Sequence, residues 1–207
     1  LSHILHDLRL FKSRAELRVM AKSAQIAAEA HLRAMRATRP GSSEAMIAAE
    51  LIHAFHTSHS VPSYEPIVGG GANACILHYR ANNAPLRDGD LLLVDAGAEF
   101  QCYASDITRT WTRGDADSAE FDALLAAMES AQLALVGEVR NGVDYREIHL
   151  STHRHIARIL REQGLVSMSE EAMLAERVTA TFFPHGIGHF LGLQVHDVGG
   201  FMASEAG

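Results

Sequence analysis

Cysteine is nearly absent from this 207-residue chain, which has only Cys75 and Cys102. Two thiols exclude the disulfide-dense frameworks of small secreted domains and suit a reducing compartment. Both are expected in strands, and neither has a helix N-terminus or basic cluster beside it to activate the thiol, so nucleophilic cysteine chemistry is not expected. Long apolar runs are missing too. None approaches the roughly 20 residues of a membrane span, and residues 1–10 carry Asp7 and basic or titratable side chains where a signal peptide has its apolar centre. Positive charge is also in short supply. The 18 Lys and Arg are outnumbered by 25 Asp and Glu, for a formal charge of −7, which argues against nucleic acid or a membrane surface as partner. A cytoplasmic protein is expected. With 47% apolar and 21% charged residues, the chain can bury the core of one domain.

Local signals outline the elements. Ser13 and Glu16 form a capping box before apolar residues at helical spacing, predicting a helix over 14–38 that Pro40-Gly41 stops. Ser42 or Ser43 caps a second helix carrying Ile47, Leu51, Ile52 and Phe55. Strands are expected over 64–68 and 74–79, on either side of Gly69-Gly70-Gly71. After Gly114-Asp115 the order restarts, with a helix over 118–140 built on Phe121, Leu124, Leu125, Met128, Leu133 and Val136. A second, opened by a capping box of Asp144 and Glu147, runs to Gln163, and a helical turn over 169–175 leads to an extended segment at 178–183. Two helices followed by strands therefore occur twice, and the second copy stops at Gly207 after barely one strand. The chain reads as incomplete at its C-terminus, and residues 1–12 as the end of a linker.

Residues 91–111 read as an antiparallel hairpin turning near Phe100 and Gln101, with Asp95 opposite Asp106. Like charges facing one another at about 4.5–5.5 Å repel. Either they share a cation, each binding one ion of a pair or bridging both, or one belongs to a turn and the other to a solvated rim. His185 and His189 flank Gly186, Ile187 and Gly188, too glycine-rich for a zinc-binding helix. His196-Asp197 lies farther on, and His78 is expected at a strand end. Imidazoles near carboxylates form metal shells or ordinary core pairs. His53, His56 and His59 read as a solvated helix end, and His149, His153 and His155 as a polar helix face. Gly69-Gly70-Gly71 opens no helix and has no following Lys-Ser or Lys-Thr, against a phosphate loop.

Val94-Asp95-Ala96-Gly97, then Ser105-Asp106-Ile107-Thr108-Arg109-Thr110, then His185-Gly186-Ile187-Gly188-His189 with Leu191-Gly192-Leu193-Gln194-Val195-His196-Asp197, resembles the pita-bread metallopeptidases. Within them the chain is most similar to the bacterial Xaa-Pro dipeptidases, or prolidases, as the first two-thirds or so of a catalytic domain. The resemblance implies an α+β fold with pseudo-twofold αα-ββ repeats around a curved antiparallel sheet. Residues 13–207 are then a partial catalytic domain, 1–12 the end of an interdomain linker.

The resemblance further implies two divalent metal ions, Mn²⁺ in preference to Zn²⁺ or Co²⁺, held by two Asp, one His and two Glu. Asp95, Asp106 and His189 match the first three, and both Glu are expected beyond Gly207, since Glu205 is no convincing substitute. His78, His185 and His196 match catalytic histidines that bind the scissile carbonyl or shuttle protons, and Tyr64 matches a tyrosine of the substrate pocket. The implied reaction is hydrolysis of an Xaa-Pro dipeptide by a metal-bridged hydroxide, with protonation of the departing proline nitrogen. The implied partners are a small peptide substrate and, in the full-length protein, a second copy of the chain. Aminopeptidase P activity on longer peptides and a non-catalytic protein-binding module are the alternatives, and hydrolysis of organophosphate esters is an implied side activity.

Overall fold

The computed structural model describes residues 2–39, 41–112 and 119–199. They form two compact units, one of the described residues up to 112 together with 190–199 and one of residues 119–189. Pro40, Gly114-Asp115, Ser118, Phe201, Met202 and Glu205 lie outside the described residues.

The first unit begins with helix α1 (Ser2–Leu10), where a linker end was expected. Helix α2 (Arg14–Ala37) starts at the capping box foreseen, with Ser13 and Glu16 bonding reciprocally. Helix α3 (Glu44–Thr57) is capped by Ser43, whose side chain accepts from the Met46 N–H. Ile26, Ala27, Ala30 and Ala34 of α2 and Ile47, Leu51 and Phe55 of α3 are buried together. Each such Ile, Leu or Phe contributes about 1.5–3 kcal/mol by leaving water.

These helices cover one face of antiparallel sheet. Strands β1 (Val61–Pro62) and β2 (Ile67–Gly70) are followed by a 3₁₀ turn over Gly71–Cys75, then by β3 (Leu91–Ala96), β4 (Ala98–Phe100), β5 (Tyr103–Ala104) and β6 (Ile107–Thr112). One three-stranded sheet has the order β1-β4-β5 and the other β2-β3-β6. Strand β3 alternates: Leu92, Val94 and Ala96 are buried against the helices, while Leu91, Leu93 and Asp95 are half-buried on the opposite face.

Two expectations change here. Residues 74–79 are not a strand, because the 3₁₀ turn and the turn after it consume them; Cys75 and Cys102 both lie outside strands and are exposed. The hairpin register also differs. Gln101 and Cys102 both have positive φ, 49° and 66°, and join Phe100 to Tyr103 in a two-residue turn whose twist matches the strands. With the turn one residue later than expected, the pairing moves by two, so Asp95 faces Thr108 rather than Asp106. A shift of two keeps every side chain on its face, and Asp106 becomes the diagonal neighbour of Asp95.

The second unit contains α4 (Ala119–Glu138), α5 (Tyr145–Glu162), α6 (Glu170–Ala175) and α7 (Thr179–Phe182). Its core gathers Ile156, Ala157, Leu160 and Met173. Helix α4 forms as expected, but Phe121, Met128, Leu133 and Val136 are exposed among the described residues. Asp144 caps α5 by accepting from the Arg146 N–H and pairs with the Arg146 side chain, in place of a reciprocal box with Glu147. Residues 178–183 are not an extended segment, since Thr179–Phe182 is helical. Their N–H groups bond locally, Ala180 to Arg177 O at 3.0 Å and Phe183 to Thr179 O at 2.9 Å, which satisfies backbone that has no partner strand among the described residues. No described helix is long and apolar enough to cross a membrane.

Candidate active site

The outer face of β3 opens onto a cleft of about 580 Å³ in the first unit, lined by Tyr64, His78, Asp95, Asp106 and His196 together with Arg80, Glu65 and Glu99. Sequence periodicity puts Asp95 there: with Leu92, Val94 and Ala96 inward, the residue between Val94 and Ala96 must point outward. Asp106 reaches the same point from the end of β5. Gly97 makes this approach feasible, since a Cβ on it would overlap the Ser105 carbonyl oxygen. Around that contact, the Ser63 hydroxyl donates to Ser105 O at 2.8 Å, the Ser63 N–H to Gly97 O at 2.9 Å, and the buried Ser23 hydroxyl to Ala98 O at 2.6 Å.

One hydroxyl reaches both carboxylates. Tyr64 Oη is 2.5 Å from Asp95 Oδ1 and 2.8 Å from Asp106 Oδ1, so the two oxygens converge on a single point. Burial raises the Asp95 pKa and the Asp106 charge adds to it, against hydrogen bonds from Tyr64 and Thr108 that lower it; the net direction is up. Burial and then the bond to Asp95 push the Tyr64 hydroxyl far above its ordinary range, keeping it protonated. Tyr64 thus touches the carboxylates, beyond the pocket-lining place foreseen for it.

His78 and His196 are exposed on the cleft. His78 is not at a strand end; it sits in the turn closed by the Tyr79 N–H on Ile76 O at 3.2 Å, with φ 54°. His196 lies on the segment held by Ala104 N–H to Gly192 O, 2.9 Å, and by Asp197 N–H to Phe190 O, 3.0 Å. Asp197 is buried and bonds to Arg9 of α1 and, at 2.9 Å, to Lys12.

His185 and His189 belong to the second unit. The His185 ring packs edge-on against Phe183 with centroids 4.5 Å apart, and Tyr145 donates to the carbonyl of Gly188. His149 and His153 are not a solvated face: they are half-buried, with Nε2 atoms 3.2 Å apart, and pack against Phe183. His53, His56 and His59 are exposed, as expected.

Whether these residues fit a metal is answered by the donors. Two carboxylate oxygens converging on one point are the oxygen-rich environment that divalent cations select. They form only part of a ligand set, since among the described residues no three His, Cys, Asp or Glu side chains cluster as a metal site. Thr108, which bonds Asp95, and Glu44, which anchors the His78 loop, escape sequence reading. Glu44 follows the cap Ser43 and reads there as an ordinary first-turn acid.

A model of metallopeptidase family M24 matches residues 18–206. The chain is 42% identical over 205 residues to the Xaa-Pro dipeptidase of Shewanella sp. (strain W3-18-1), covering 98% of this chain and 46% of that one. Among solved structures, aminopeptidase PepP of Pseudomonas aeruginosa superposes with a TM-score of 0.94 at 42% identity, over 98% of this chain and 46% of that chain. Zn-substituted aminopeptidase P from E. coli in complex with product gives a TM-score of 0.92 at 37% identity, over 96% of this chain and 45% of that one. The chain spans about half the length of the relatives it matches, and its fold is their pita-bread fold.

Proposed function

The chain belongs to metallopeptidase family M24, and on that premise we propose that it carries part of the active site of an Xaa-Pro dipeptidase. The observation that carries this reading is the convergence of Asp95 and Asp106 on the Tyr64 hydroxyl, in one cleft with His78 and His196. Asp95 and Asp106 would hold divalent metal, with His189 as the imidazole ligand by its motif and two Glu supplied beyond Gly207. Mn²⁺ suits oxygen-rich ligation best, with Zn²⁺ or Co²⁺ as alternatives. Bound there, a metal pair supplies Lewis acidity and a water activated near neutral pH.

The chain's own residues then act on the peptide. His78 and His196, exposed on the cleft, donate hydrogen bonds to the scissile carbonyl and hold the charge that grows on its oxygen; removing such a donor costs about 10²–10³ in rate. His185, by its motif, is a further substrate-side donor. A proline nitrogen departs only once protonated, because the Xaa-Pro amide carries no N–H, so a proton must be delivered at that atom. Tyr64 keeps the two carboxylates in position. Two free thiols and an acidic composition suit a cytoplasmic enzyme, and the family resemblance suggests a homodimer.

Dipeptide specificity is favoured by the run Gly192-Leu193-Gln194-Val195-His196-Asp197-Val198-Gly199-Gly200-Phe201-Met202, which is similar to that of bacterial prolidases. The complete protein, loaded with Mn²⁺, is expected to cleave Ala-Pro faster than Ala-Pro-Ala, and Asp95→Asn or Asp106→Asn to abolish both metal retention and cleavage. Faster cleavage of Ala-Pro-Ala would make the protein an aminopeptidase P. Neither metal retention nor cleavage would make it a binding module.

A further inference from the structure

Glu44 is fully buried, at 0% exposure, in the first turn of α3, yet none of its carboxylate bonds serves its own helix. Oε1 accepts from the Gly70 N–H and from Asn73 Nδ2, both at 2.9 Å. Oε2 accepts from the Tyr79 hydroxyl at 2.8 Å and from the Ala84 N–H at 2.9 Å. The Glu44 N–H donates to Ala84 O at 3.0 Å. All four donors to its carboxylate lie along residues 70–84, the stretch that leaves β2 and returns toward β3. Burial raises the pKa of this carboxyl, but the bonds from Gly70, Asn73, Ala84 and Tyr79 outweigh it, and the net direction is down. A buried carboxylate held by this many donors is charged and stiffly placed.

His78 sits between two of those donors, Asn73 and Tyr79. Its φ of 54° is a conformation that non-glycine residues adopt rarely and keep where the surroundings over-determine it. Asn82 supplies a second anchor for the same loop, accepting from the Val68 N–H at 2.9 Å and donating to Pro66 O at 2.7 Å. The loop is thus tied at both ends while its exposed tip presents an imidazole to the cleft.

We propose, on the peptidase reading above, that Glu44 is a positioning residue for His78: its carboxylate fixes the loop so that the imidazole meets the substrate carbonyl. In the complete protein, Glu44→Gln keeps the shape but turns an amide toward backbone N–H groups that need an acceptor. kcat/KM on Ala-Pro is expected to fall about 10²-fold, the cost of misplacing a catalytic group by about 1 Å, with the loss mainly in kcat. In a His78→Ala background the same change is expected to cost less than about twofold, because the group being positioned is gone. Equal losses in both backgrounds would overturn the proposal. Tyr79→Phe removes one donor, is expected to show a smaller loss with the same dependence on His78, and serves in the cycle if the Glu44 variant does not fold. A readout independent of activity is the ¹H–¹⁵N correlation of the His78 ring. Its displacement in these variants supports positioning, and an unmoved signal overturns it. Should the unmodified protein cleave no Xaa-Pro peptide, the peptidase reading fails while the ring signal still decides whether Glu44 positions His78.

Discussion

Gly97 and Ser105 approach so closely that no side chain fits between them; a Cβ on Gly97 would overlap the Ser105 carbonyl oxygen and crowd the Ser63 hydroxyl. The obstructing atoms are chiefly backbone, so they cannot swing aside. Gly97→Ala is expected to destabilise the protein by about 1–3 kcal/mol, as overpacking does. Because the Ser105 carbonyl leads directly into Asp106, the same change is expected to weaken Mn²⁺ binding. Urea denaturation and calorimetric titration check the two effects, and an alanine variant unchanged in both would show that the strand crossing yields.

Much of this molecule is legible in its sequence where the signal is local. Ser13 with Glu16, and the pair Ser42-Ser43 before Ile47, place α2 and α3 because caps and helical spacing need no distant partner, and the structure selects Ser43 as the second cap. Alternation in β3 puts Asp95 on the outer face, and the face survives an error in register because the error is two residues. What depends on distant chain is not legible. The left-handed conformations of Gln101 and Cys102 have no Gly or Asn to announce them, so the turn is read one residue early. Residues 178–183, built of Val, Thr, Ala and Phe, look like a strand, yet helical bonds take 179–182 where no strand partner stands among the described residues. The bond between Tyr64 and two carboxylates 31 and 42 residues away has no sequence signature.

Tyr64 has one proton and two acceptors, so its hydroxyl holds the carboxylates together more than it neutralises them. Tyr64→Phe is expected to loosen both and to lower Mn²⁺ affinity about 10- to 100-fold, the usual effect of losing a partner of a metal ligand. Isothermal titration with Mn²⁺ measures it. A variant with native metal affinity and a raised KM would place Tyr64 in substrate binding instead.

Asp197 joins the His196 segment to α1 through Arg9 and to Lys12, two residues beyond that helix. Burial raises its pKa, but the bonds from Lys12, the Val198 N–H and Arg9 outweigh it and leave the pKa lowered. A carboxyl with a depressed folded pKa contributes stability that is present above its unfolded value, about 3.9, and is lost as pH falls through the folded value. Lys12→Met is expected to cost about 1–3 kcal/mol at pH 7, since a buried acceptor loses a donor. The gap between variant and wild type is expected to narrow below about pH 4, as the carboxyl protonates. A cost independent of pH would assign the effect to lost packing of the lysine stem.

His153 makes the opposite case for a base. Its Nδ1 lies 2.9 Å from the Thr179 hydroxyl and its Nε2 3.2 Å from His149 Nε2, so one imidazole must donate to the other and both cannot be charged at that distance. Burial, then His149 and then Arg177 lower the His153 pKa. The unfolded chain, with a value near 6.5, therefore binds this proton more readily than the folded one. Stability rises with pH wherever the unfolded state holds more protons, so the contribution is complete above about pH 6.5 and declines as pH falls toward the folded value. Amide exchange in α5 is expected to be faster at pH 5.5 than at 7.5 once corrected for intrinsic rates, and His153→Gln to shrink that difference. If the variant keeps the full difference, the sensitivity lies with another group and the imidazole pair is a packing contact alone.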